Sequence, residues 1–282
     1  MEEGVSGSGR SQPADSAMPA RQIIGLVLVR NEDVRVRQAV ENVAAFCDRI
    51  ILADHGSTDG TPEILRQLAA AHPHVTYHRI ASPRESHDLI AGFANTDTWI
   101  FGVDGDELYD PAGLALMRQR IFAGEFDDWW MVFGNVLNCD AIDPVRKTAA
   151  GFLAPPCRSI TKLYNFRLIR SWTGDTPERL HGGRIVFHPG HDASARRYLH
   201  EEIPWAGSPL RCLHTCFVAR SSADAATPLV RENIMDVHAG GILRKMQRGW
   251  KMLRGVPLES DWKKSRYRRG ERVTIDASAF YP

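Results

Sequence analysis

The apolar run Trp99-Ile100-Phe101-Gly102-Val103 stops in Asp104-Gly105-Asp106-Glu107, four residues that carry three acids. Such a run reads as a buried strand. A strand ending in Asp-x-Asp puts two carboxylates on the rim of a parallel sheet, where open α/β folds hold their ligands and a hard divalent cation finds oxygen donors. The same residue types also do no more than close a strand in a solvated turn. Two earlier runs end in a similar way. Ile23-Ile24-Gly25-Leu26-Val27-Leu28-Val29 breaks at Arg30-Asn31-Glu32-Asp33, and Arg49-Ile50-Ile51-Leu52-Ala53 runs into Asp54-His55-Gly56-Ser57-Thr58-Asp59-Gly60. There Asp54 and Ser57 are placed either to contact a nucleotide or to brace a tight loop through side-chain to backbone hydrogen bonds.

Helices between these runs would carry the strands into one sheet. Val36, Val40, Val43 and Ala44 recur at helical spacing, as do Ile64, Leu65 and Leu68. Thr61-Pro62-Glu63 predicts a helix start with a hydroxyl N-cap, proline at the first position and an acid in the first turn. Val75 to Ile80 predicts a third strand. Ser82-Pro83 then opens a helix that turns Leu89, Ile90 and Phe93 inward, with Arg84 and His87 one turn apart on its exposed start, either to meet a diphosphate or as a solvated face. Asp110-Pro111 caps a helix reaching about Ala123, and Trp129 to Phe133 predicts a further strand.

At 282 residues, 43% hydrophobic and 24% charged, the chain can bury the core of one large α/β domain or of a domain with an appendage. The formal charge of +1 gives no global case for nucleic-acid or membrane binding, and no nucleic-acid partner is expected. No apolar run approaches the roughly 20 residues that cross a bilayer. The N-terminus lacks an apolar secretory core, and five scattered cysteines argue against a disulfide framework, so a cytoplasmic protein is expected. Residues 1 to 20, rich in Ser, Gly, Ala and Pro, have the composition of a disordered segment.

Taken together, Val29-Arg30-Asn31-Glu32, Asp54-His55-Gly56-Ser57-Thr58-Asp59-Gly60-Thr61 and Asp104-Gly105-Asp106-Glu107 resemble the family 2 glycosyltransferases of the GT-A fold. Their order and their positions at three strand ends carry the resemblance, which spans residues 22 to 135 and more loosely reaches about 225. It implies a three-layer α/β/α domain with a mostly parallel central sheet over 21–225, and a nucleotide-sugar donor, usually a UDP-sugar, moved to an acceptor that the sequence does not identify. Donor contacts are implied for Arg30, Asn31, Glu32, Asp54, Ser57, Arg84, Asp104 and Gly105. Asp54 would face the base and Glu32 the ribose. Mn²⁺ or Mg²⁺ would be held by Asp104 and Asp106, with Asp106 a surface ligand whose removal spares the fold.

Members of this family often complete the metal site with a late histidine. His181, His188, His191, His200 and His214 are the candidates, and His214, in the strand-like run Leu210 to Val218, is preferred over them. Cys212, His214 and Cys216 share one strand face, which also invites a zinc reading, although no paired Cys-x-x-Cys element exists. An inverting transferase needs a carboxylate base for the acceptor hydroxyl. Glu178 is preferred, with Asp175 beside it in a polar, turn-rich loop, over Glu201 and Glu202. Residues 226–282 read as a helical basic extension. Positions 244 to 269 hold ten Lys or Arg against two acids, a solvated tail or a surface for an anionic or peripheral membrane partner. The competing readings are a nucleotidyltransferase, which would need a glycine-rich basic loop after its first strand, and an inactive nucleotide- or partner-binding module on the same fold.

Overall fold

The computed structural model describes residues 20–173, 184–226 and 266–281. Its centre is β1 (Gln22–Val29). From it α1 (Val36–Ala44) leads to β2 (Arg49–Asp54), α2 (Thr61–Ala71) to β3 (Val75–Arg79), and the single-turn α3 (Asp88–Ala91) to β4 (Thr98–Asp104). There follow β5 (Glu107–Tyr109), α4 (Pro111–Phe122), β6 (Met131–Phe133), β7 (Asn135–Asp143), β8 (Thr148–Leu153), β9 (Lys162–Asn165), β10 (Ile169–Thr173), β11 (Arg184–Phe187), β12 (Arg196–Tyr198), α5 (Leu199–Glu202), β13 (Arg211–His214) and β14 (Arg272–Asp276).

The central sheet has the order β12-β6-β9-β4-β1-β2-β3, and four of its six strand pairs are parallel. This is the expected α/β architecture with a mostly parallel sheet. β1 shows why the apolar runs are continuous, because both of its faces are covered. Ile23, Val27 and Val29 pack with Val36, Val40 and Val43 of α1, Leu65 and Leu68 of α2, and Leu114, Met117 and Ile121 of α4. Ile24, Leu26 and Leu28 face the opposite layer, with Ile90 and the aromatic group Trp130, Tyr164, Phe166 and Trp172. The alternation is the two-residue period of a strand, and each fully buried aliphatic side chain contributes about 1.5–3 kcal/mol.

A second, five-stranded sheet in the order β14-β8-β7-β13-β5 stands beside the first, and sequence reasoning missed it. Its members come from distant parts of the chain, and β5 begins directly after the acids that end β4. The C-terminal end corrects another expectation. Residues 227–265, where a helix was expected, lie outside the described residues, as do 1–19. Beyond them Arg272–Asp276 is a strand antiparallel to β8, with Val273 and Ile275 turned inward between exposed neighbours. The helix expected from Ser82 is also broken. A short turn, Pro83–Ser86, closed by a Ser82–Glu85 capping box, precedes α3.

Candidate active site

Register places the acids. In the β1–β2 ladder Val29 pairs with Asp54, and in the β1–β4 ladder Leu28 pairs with Asp104. The two acids therefore flank the carboxyl end of β1, two strand spacings or roughly 10 Å apart. Sheet growth reverses between β1 and β4, the switch point at which open α/β sheets bind ligands.

The loops after β1 and β2 are joined by side chains. Asn31, in the left-handed region at φ 54°, donates its N–H to Ser57 Oγ at 2.9 Å and accepts from the Thr58 N–H at 2.8 Å. Asp33 accepts from the Gly60 N–H at 3.1 Å, and the Glu32 N–H donates to Thr61 Oγ1 at 2.8 Å. Thr61 is thus not the N-cap expected of it, because its hydroxyl serves Glu32 while Gly60 holds the cap position. Asp54 is fully buried and accepts from the Ser57 N–H at 2.8 Å and the Tyr77 hydroxyl at 3.1 Å. These bonds brace the two loops against each other. Arg30 and Arg84 are exposed. His87 is not: it is fully buried and accepts from Trp172 Nε1 at 3.0 Å, which removes it from any solvated or diphosphate-facing surface.

Gly105 lets the acid turn close on β1. A Cβ there would collide with Glu32 Oε2 and lie 2.6 Å from Val29 Cγ1. The turn sends Asp106 inward, where it is fully buried, so it is not the surface ligand that the sequence suggested. Its backbone carbonyl accepts from the Thr215 N–H and hydroxyl, at 2.9 and 3.1 Å. β13 pairs with β5 and β7 so that His214 stands opposite Glu107 on one side and Asn138 on the other.

His214 Nε2 lies 3.8 Å from Asp106 Oδ2, while Nδ1 is 2.8 Å from Asn138 Oδ1. With Asn138 accepting, Nδ1 carries the proton and the Nε2 lone pair faces the carboxylate, a pairing that a cation between them stabilises. The Tyr267 ring packs edge-to-face with the imidazole, with 5.5 Å between centroids. An imidazole and a carboxylate at this separation suit Mn²⁺ or Mg²⁺, whose remaining positions are commonly taken by phosphate and water. Among the described residues no three His, Cys, Asp or Glu side chains form a ligand group. Asp106 and His214 are therefore brought together, Asp104 is not joined to them as a third donor, and Cys212, His214 and Cys216 make no zinc set. Asn138→Ala is expected to weaken Mn²⁺ binding about tenfold, the lower end of the effect of losing a histidine's orienting partner. Counting free Mn²⁺ by electron paramagnetic resonance checks this, and unchanged affinity would remove Asn138 from that role.

Arg220 is the site residue that the sequence did not reveal. Its guanidinium bonds Asp106 Oδ2 and lies 3.3 Å from Glu32 Oε1. Burial works against its charge, but Asp106 and then Glu32 outweigh that and hold its pKa above the ordinary value. The backbone is fixed too: the Arg220 N–H donates to Asp224 and its carbonyl accepts from the Val34 N–H. Ser221 Oγ donates to Asp59 at 2.6 Å, and the Ser222 N–H to Asp33 at 2.7 Å. The only sequence signal was an Arg-Ser-Ser run soon after a strand.

Glu107 is buried, and its Oε2 accepts from the Tyr109 hydroxyl at 3.0 Å and the Asp104 N–H at 3.2 Å. Burial first, then the charge of Asp104, push its carboxyl well above the usual range. The folded chain therefore keeps a proton that the unfolded chain has released. Stability from Glu107 is full below the ordinary carboxylate pKa and is lost as pH rises toward the raised value. Glu107→Gln is expected to raise the melting temperature at pH 8 and change it little at pH 5. A larger loss at pH 8 than at pH 5 would mean that Glu107 is ionised and needed so.

Asp175 and Glu178 lie outside the described residues, as does His181. Glu201 and Glu202 are exposed on α5, with Glu202 paired to Arg197 at 3.0 Å. Tyr267 and Arg268, from the basic stretch, fold back over the second sheet, the Arg268 guanidinium 4.1 Å from the centre of the Phe217 ring. No described helix is long and apolar enough to cross a membrane, and all five cysteines are free thiols.

An open α/β sheet with acids gathered at the carboxyl rim of its switch point has them where folds of this class hold their ligands. Residues 26–192 match glycosyl transferase family 2, over more than half of the chain, and the chain belongs to that family. An uncharacterized glycosyltransferase of Rickettsia felis is 25% identical over 187 residues, which cover 65% of this chain and 61% of the relative. The chain thus spans less than two thirds of that relative's length. Among solved structures it is similar to the mannosyltransferase PcManGT from Pyrobaculum calidifontis in complex with GDP-Man and Mn²⁺, at 18% identity and TM-score 0.37, covering 70% of this chain and 62% of that one. It is also similar to glucosyl-3-phosphoglycerate synthase from Mycobacterium tuberculosis in complex with Mn²⁺, UDP and glucosyl-3-phosphoglycerate, at 14% identity and TM-score 0.35, covering 57% and 64%.

Proposed function

We propose that the chain transfers a sugar from a nucleotide-sugar, with UDP as the expected nucleotide, to a hydroxyl acceptor with inversion. Family membership supports the reaction class. The observation that carries the site is the meeting of Asp106 and His214 at 3.8 Å beside Glu32, at the rim between β1 and β4. Glu32 and Asp104 face the ribose side, and Asp54 shapes the loop that receives the base. Arg30 and Arg84 are proposed for the outer donor contacts. Asp106 and His214 would hold Mn²⁺ or Mg²⁺, which neutralises the charge that the leaving diphosphate develops. Glu178, with Asp175 as second choice, takes the acceptor proton. A cytoplasmic site of action and an anionic partner for the basic stretch belong to the same proposal, supported by free thiols and by ten cationic residues over 244–269.

Calorimetric titration of UDP, and of GDP for comparison, with Mn²⁺ and again with chelator tests the donor site. Metal-dependent binding of one nucleotide is expected and would name the donor class. Equal binding with chelator present would dismiss the metal assignment, and no binding of either nucleotide would dismiss UDP and GDP sugars as donors.

A further inference from the structure

Arg220 and a divalent ion require the same oxygen. The guanidinium bonds Asp106 Oδ2, and that oxygen faces His214 Nε2. We propose that Arg220 holds the cation position on Asp106 and thereby makes metal binding depend on the donor's diphosphate; this rests on the donor and metal assignment above.

Two cations on one buried oxygen repel strongly, because little water separates them. Asp106, Glu32 and Arg220 together carry one net negative charge. A divalent ion added alone makes that charge positive, and a doubly negative diphosphate ester added with it restores the original balance. Metal alone must therefore displace the guanidinium from Asp106, whereas metal with diphosphate offers the guanidinium a new anionic partner. The backbone favours such an exchange. Bonds from Asp224 and Val34 to the Arg220 backbone, and those of Ser221 and Ser222, fix the chain at and just after Arg220, so the long side chain can swing while its root stays in place. Glu32 Oε1 at 3.3 Å gives the swinging end a second anchor close to the ribose side. By linkage, whatever factor UDP adds to Mn²⁺ affinity, Mn²⁺ adds to UDP affinity.

The test measures Mn²⁺ binding by electron paramagnetic resonance, with and without UDP, in the wild type, Arg220→Gln and Arg220→Lys. In the wild type UDP is expected to tighten Mn²⁺ binding strongly. Arg220→Gln is expected to bind Mn²⁺ alone at least tenfold more tightly and to lose at least tenfold of the UDP effect, while Arg220→Lys, which keeps a cation, stays near wild type. Should Arg220→Gln fail to fold, the double variant Glu32→Gln with Arg220→Gln removes one charge of each sign and must show the same tighter binding of Mn²⁺ alone. Unchanged or weaker binding of Mn²⁺ alone in a folded variant lacking the Arg220 cation overturns the inference. UDP-dependent Mn²⁺ binding that disappears in Asp106→Asn, together with an unchanged Arg220→Gln, overturns this inference only. Wild-type protein whose UDP binding ignores Mn²⁺ overturns the metal assignment and this inference with it.

Discussion

Asp106→Asn is expected to lower Mn²⁺-dependent UDP affinity by at least about a hundredfold, since loss of a direct ligand exceeds the 10–100-fold cost of losing a ligand's partner. The amide keeps the shape of the side chain and leaves the backbone carbonyl to Thr215. Only charge is lost, and with it the ion pair with Arg220 and the carboxylate that faces His214. Arg220 keeps Glu32 as its charged partner, so the stability loss that accompanies the binding loss is that of one charge-assisted hydrogen bond, about 1.5–3 kcal/mol. Asp106→Ala would add a cavity to that. Titration with UDP and Mn²⁺ at a temperature where circular dichroism shows a folded variant separates the two effects. Unchanged metal-dependent affinity in folded Asp106→Asn would remove Asp106 from the metal site.

Gly105→Ala is expected to damage the site through space alone. The added methyl meets Glu32 Oε2 and Val29 Cγ1, a side chain from the first loop and one from the central strand. Val29 is held by the core on its own face, so the acid turn must move outward instead. Overpacking of this kind costs about 1–3 kcal/mol. A shift of about 1 Å in the turn that carries Asp104 and Asp106 costs roughly a hundredfold in transfer rate. Steady-state kinetics beside a thermal melt test this. Wild-type rate in the variant would show that the turn accommodates the methyl without moving its acids.

The first half of the fold was legible because each parallel strand announces itself twice, by an apolar run and by the polar cluster that ends it. β1, β2 and β4 obey this pattern, and their registers bring Asp54 and Asp104 to one rim without further information. β7 was not legible. Asn135, Asn138 and Asp140 interrupt its apolar pattern, and what buries it is pairing with β13 more than seventy residues later. Periodicity reports local faces, not distant partners. His214 could be singled out because histidine within a strand-like run is chemically conspicuous, and the fold brings it within 3.8 Å of Asp106. Arg220 was missed because an arginine beside serines is ordinary on a surface, and only the folded chain shows the two carboxylates waiting for it.

The Arg220 contacts also give the site a place in the order of folding. Arg220 meets Asp106 across 114 residues and Glu32 across 188, so the charge balance of the site is among the longest-range features of the chain. Loop closure over such distances is slow compared with strand and helix formation nearby. On a ribosome the sheet built from β1 to β4 can assemble well before residue 220 emerges. The acids of that rim are then already placed, and their guanidinium arrives with a segment made more than a hundred residues later. A chain stopped short of that point can have the outline of the parallel half of the sheet and still lack the cation that its buried carboxylates share. The charge balance of this rim is thus complete only once residue 220 has been made.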